Sequence, residues 1–118
     1  MSILTNLVTE PGVLAAGEFA YRGDRFKWEG EMNEEMARLA SIMCRTNNMA
    51  VHMQTDMMKM FAADCGCLPA RGWVVRGQNV SVCVVGNVFC MIDNEKGSAT
   101  ELVHYMLEHL DAASDRLV

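Results

Sequence analysis

The stretch MAVHMQTDMMKMF, residues 49–61, carries five of the chain's eleven methionines. No proline or glycine interrupts the chain between Asn33 and Ala63, so the stretch reads as the second half of one long helix. Asn33 is a suitable N-cap, and Glu34 and Glu35 follow where the helix dipole favours negative charge. Gly66 and Pro69 are the expected stop.

On a wheel of about 100° per residue, Glu34, Arg38, Ser41, Arg45, Asn48, His52, Thr55 and Lys59 fall in one polar stripe. The remaining arc is largely apolar and spans roughly 200°, against the ~100° that one sheet contact buries. One half holds Leu39, Ile42, Met49, Met53, Met57 and Met60. The other holds Met36, Ala40, Met43, Ala50, Met58 and Phe61, with Asn47 and Gln54 among them. One half is expected to lie on the chain's own sheet and the other against the same helix of a second copy, as a two-fold interface requires. The residues expected at this interface are Leu39, Ile42, Met43, Met49, Ala50, Met53, Met57 and Met60. Methionine suits such a contact because it is flexible and polarizable. The competing reading is a monomer with a large methionine-filled core.

Outward from the helix, residues 2–9 carry Ile3, Leu4, Leu7 and Val8 at helical spacing, stopped by Pro11-Gly12. Residues 13–21 read as a strand, with Gly17 marking a close approach or a bulge. Arg22-Gly23-Asp24 is a turn, and residues 25–29 alternate, with Phe26 and Trp28 on one face. After the long helix, residues 72–77, 80–86 and 88–93 are rich in β-branched and aromatic residues. Gly86-Asn87 is a two-residue hairpin turn. Ser98 and Glu101 form a capping box that opens a last helix, with Leu102, Val103, Met106, Leu107 and Leu110 on its apolar face. The order is helix, two strands, long helix, three strands, helix: an α+β fold with a five-stranded antiparallel sheet flanked by helices.

At 118 residues the chain is expected to form one domain, residues 1–118. A net charge of -5 argues against binding nucleic acid or an anionic membrane. No run approaches the ~20 apolar residues that span a bilayer. No secretory leader is evident, so five free cysteines in a reducing cytoplasm are expected.

Candidates for chemistry are few. Cys65-Gly66-Cys67 is the one tight thiol pair; Cys65 and Cys67 are candidate reactive thiols for redox or sulfur-relay work, although the spacing is not C-x-x-C. Cys83 and Cys90 read as small buried hydrophobes in strands. His52 belongs to the polar stripe, and His104 and His109 have no partner at zinc spacing. Arg71, Trp73 and Arg76 are a candidate partner-contact site with cation–π character, weighed against a solvated strand edge with a core Trp. No catalytic constellation, no metal set and no cofactor fingerprint is present in the sequence, and no cofactor is expected.

The segment PGVLAAGEFAYRGDRFKWEG, residues 11–30, with its Pro-Gly and small residues after the first helix, resembles the opening of a roadblock/LC7 domain. The element order fits as well. RGWVVRGQNVSVCVVGNVFCMID, residues 71–93, is similar to a bacterial branch of that superfamily, whose small proteins occur beside the sulfur-oxidizing heterodisulfide reductase-like system. The resemblance implies a non-enzymatic homodimer whose sheets join and whose long helices pack together, serving as a platform for a protein partner. It leaves open a further pairing of dimers into a tetramer. A sulfur carrier using Cys65 or Cys67, or a regulator of a small GTPase, are the alternatives.

Overall fold

The computed structural model describes residues 3–20, 25–62 and 71–110. The elements are α1 (Ile3–Leu7), β1 (Val13–Phe19), β2 (Phe26–Gly30), α2 (Glu34–Phe61), β3 (Gly72–Arg76), β4 (Val80–Val85), β5 (Val88–Asp93) and α3 (Ala99–His109). The five strands form one antiparallel sheet in the order β2-β1-β5-β4-β3. The fold is therefore α+β, with α1 and α3 on one face of the sheet and α2 on the other.

Local chemistry sets the element ends. Asn33 caps α2, its Oδ1 accepting from the Met36 backbone N–H at 2.8 Å. Ser98 caps α3, its Oγ accepting from the Glu101 N–H at 3.3 Å. The β4–β5 hairpin turns at Gly86-Asn87. Gly86 has φ of 61° and Asn87 does not take positive φ, so glycine occupies the one left-handed position, as in a type II′ hairpin turn. Asn87 then ties the hairpin to β1, donating from Nδ2 to the Phe19 carbonyl at 3.0 Å. The expected turn at residues 22–24 and the expected stop at Gly66 and Pro69 lie outside the described residues; α2 is already capped at Ala62.

The period-two alternation of the strands builds two cores. Ala16, Cys83, Val85, Val88, Cys90 and Ile92 meet Leu4 and Leu7 of α1 and Leu102 and Met106 of α3. On the opposite face Phe19, Val84 and Phe89 meet Ala40 and Cys44 of α2. Gly17 lies across from Phe89 in the β1–β5 register, and its missing side chain leaves room for the Phe89 ring. That close approach is the role expected for Gly17; the irregularity in β1 falls instead between Val13 and Ala15.

The packing of α2 corrects the expectation drawn from its wheel. Neither half of the apolar arc lies on the sheet. The buried positions are Ala37, Ala40, Ser41, Cys44 and Asn48, two of them from the polar stripe. The reason is size. Phe19, Phe89 and Trp73 already fill this side of the sheet, so the helix approaches through small side chains. The polar members tolerate burial because their groups are satisfied. Ser41 Oγ donates to the Ala37 carbonyl at 2.7 Å. Asn48 makes the contacts described below.

Candidate functional site

Beyond Asn48 the helix keeps little cover from its own chain. Met49 is 65% exposed, Met53 73%, Met57 55% and Met60 85%. With Leu39 and Ile42, also exposed, they form a stripe centred roughly 180° from the sheet-facing residues at ~100° per residue. From Leu39 to Met60 this stripe contains no charged side chain. Met43 and Ala50, the other two interface candidates, are exposed on its flank. All eight candidates are thus at the surface of the chain.

That flank faces the edge of the sheet. Asn47, Ala50, Val51 and Gln54 of α2 and Trp73, Val74 and Val75 of β3 line a groove of about 250 Å³. One anchor holds the two sides of this groove together. Asn48 Nδ2 donates to the Gly86 carbonyl at 3.0 Å, and its Oδ1 accepts from Trp73 Nε1 at 2.5 Å.

β3 is an edge strand with an open side. Gly86 N–H donates to the Arg71 carbonyl, and Gly77 N–H to the Val80 carbonyl. By the alternation of an antiparallel ladder, residues 73 and 75 also face β4, whereas Gly72, Val74 and Arg76 turn their backbone groups outward. The two edges of the sheet differ in chemistry. β2 carries Lys27 and Glu29 within five residues, charges of the kind that discourage edge pairing. β3 presents Val74 and Val75, both exposed.

The three candidate contact residues of β3 do not converge. Trp73 points to the α2 side, where Asn48 holds it. Arg76 is on the α3 side and donates from Nη2 to Thr100 Oγ1 at 3.0 Å. Arg71 donates from Nη2 to the carbonyls of Leu107 and Leu110 at 3.2 Å. These are free carbonyls of the last turn of α3, where a cation is favoured. Both guanidinium groups thus fasten the edge strand to the helix behind it. Sequence spacing places Trp73 and Arg76 on opposite faces of a strand, but the α3 contacts become visible only in the fold.

The described thiols are inert by environment. Cys44, Cys83 and Cys90 are free and buried. Burial pushes the Cys44 thiol up to about 12, and raises those of Cys83 and Cys90. Cys65 and Cys67 lie outside the described residues. His52 is exposed. His109 stacks on Tyr105 with ring centroids 4.2 Å apart.

A second concavity, of about 310 Å³, lies at the N-terminus of α3. Glu10, Glu95, Lys96, Glu101 and Tyr105 are among its lining residues. Among the described residues no group of three or more His, Cys, Asp and Glu side chains is arranged to hold a metal ion. No described helix is long and apolar enough to cross a membrane.

Comparison with known proteins agrees with this architecture. The family model described as "Uncharacterized conserved protein (DUF2173)" matches residues 3–108. Among solved structures, the chain is similar to a roadblock/LC7 domain from Streptomyces avermitilis. The TM-score is 0.60 at 14% identity, over 91% of this chain and 93% of that one. No curated protein matches the chain.

Proposed function

The chain belongs to the DUF2173 family and has the roadblock/LC7 fold, and from that premise we propose that it is a non-enzymatic homodimeric adaptor, acting as a single 118-residue domain. The observation that carries this reading is the adjacency of an open, uncharged β3 edge and an uncovered apolar flank of α2 across one groove. A second copy related by a two-fold axis through Val74 would pair Gly72 with Arg76, Val74 with Val74 and Arg76 with Gly72. The two sheets would become one, and the two α2 helices would lie side by side over the joint. Val75, Met43, Ala50 and Met58 would leave water together.

The combined sheet and helix surface is then the platform for a protein partner. The similarity of residues 71–93 to the sulfur-linked branch favours components of a heterodisulfide reductase-like sulfur-oxidation complex, in a bacterial cytoplasm. Nucleic acid and membrane are disfavoured partners for a chain of net charge -5.

Co-purification with heterodisulfide reductase-like subunits tests the reading. Retention of at least one of those subunits by the tagged full chain, lost when β3 is altered, supports it. A chain that stays monomeric and retains none of them contradicts it. The carrier alternative rests on Cys65 and Cys67 alone, because the described thiols are buried.

A further inference from the structure

The lateral pairing just proposed leaves one surface unaccounted for. The groove beside β3 takes the flank of α2 that holds Asn47, Ala50 and Gln54. Leu39, Ile42, Met49, Met53, Met57 and Met60 point away from the sheet, not toward that edge. Joining sheets side by side cannot cover them. In such a dimer two of these stripes run next to each other on one outer face.

We infer that this outer face is a second self-association surface, on which two dimers stack through their α2 helices to form a tetramer with a four-helix core. The inference rests on the lateral dimer proposed above. Three features select a second copy as the occupant. The first is area. A fully exposed aliphatic side chain offers on the order of 100–200 Å², so the six residues at their observed exposures present roughly 500 Å² per chain and about 1,000 Å² per dimer. This exceeds the ~300–600 Å² patch of a typical monomer and the ~800 Å² that each side of a standard interface buries.

The second feature is composition. The stripe from Leu39 to Met60 lacks any charge, as in obligate homo-oligomer interfaces, which resemble a core cut in half. Nothing on it would select an acidic or a basic partner. The third is symmetry. A face that contains a two-fold axis is complementary to a copy of itself, and the resulting assembly is closed. The stripe from Leu39 to Met60 is about 30 Å long at ~1.5 Å per residue, sufficient for several layers of interdigitated side chains across the bundle.

Light scattering on the full chain at micromolar concentration decides the matter, with Met53→Glu/Met57→Glu as the test variant and Met49→Lys as a second. These positions are exposed in the free chain, and circular dichroism reports that each variant is folded. The expected mass is four times the chain mass of 13.1 kDa for the wild type and twice it for the variants. A wild-type mass of two chains overturns this inference and leaves the lateral dimer standing; so does a foreign helix cross-linked to Met53 of such a dimer. A wild-type mass of one chain overturns both. A tetramer unaffected by either variant overturns the stacked face. Variants that fall to one chain overturn the lateral edge as the primary contact.

Discussion

Asn48, in the middle of α2, and Trp73, on β3, share a 2.5 Å hydrogen bond from the indole Nε1 to the amide oxygen. The same amide donates to the Gly86 carbonyl, so both halves of the group are used and its orientation follows from the network. One side chain thereby fixes the helix to the edge strand and to the β4–β5 turn. Asn48→Ala leaves an indole N–H and a carbonyl without these partners. The expected cost is about 1–3 kcal/mol, read as a lower urea midpoint with a changed Trp fluorescence. An unaltered midpoint would show that the anchor contributes nothing.

Gly17 and Phe89 form a second such pair. A Cβ on Gly17 would fall well inside contact distance of the Phe89 ring, and that ring is fully buried. Gly17→Ala is therefore expected to destabilise by about 1–3 kcal/mol through overpacking. Combining it with Phe89→Leu should recover part of the loss, and strict additivity of the two changes would argue against direct contact.

The buried thiols make a chemical prediction. Native protein treated with a maleimide near pH 8 should leave Cys44, Cys83 and Cys90 unmodified, with all three labelling in denaturant. Fast native labelling of any of them, located by mass spectrometry, would contradict their burial.

Cys44 also predicts a pH dependence. Its thiol is raised from 9.0 to about 12 in the folded chain. The unfolded chain therefore loses this proton first, and stability falls as pH rises from 9 toward 12. The slope is about 1.4 kcal/mol per pH unit for one thiol well above its unfolded value. Cys44→Ala should flatten the stability profile between pH 9 and 11 relative to wild type, and parallel profiles would refute the assignment.

Val74 tests the open edge without disturbing the sheet. Its backbone N–H faces away from β4, so proline at this position removes no ladder bond within the chain. Val74→Pro should keep the circular dichroism spectrum and reduce the scattering mass by at least half. A folded variant of unchanged mass would place the contact elsewhere.

Much of this architecture is local and was legible in the sequence. Asn33 and Ser98 mark helix starts by cap chemistry, Gly86-Asn87 marks a hairpin, and alternation marks the strands. The side of α2 that meets the sheet was not legible. Hydrophobic pattern alone favours Met and Leu for that contact, whereas the room left by Phe19, Phe89 and Trp73 favours Ala37, Ala40 and Cys44. Asn48 reads as solvated on a wheel because its partners lie 25 and 38 positions away. Arg71 likewise finds its carbonyl acceptors on α3, 36 and 39 residues on. Such pairings depend on tertiary proximity, which periodicity does not encode.

The central claim is that α2 carries more apolar surface than one chain can cover. Sedimentation equilibrium on the unmodified chain, from nanomolar to micromolar concentration, measures this directly. The account predicts a mass no lower than two chains across the micromolar range. A single species at 13.1 kDa throughout would mean that the exposed methionines stay in water, and would contradict it.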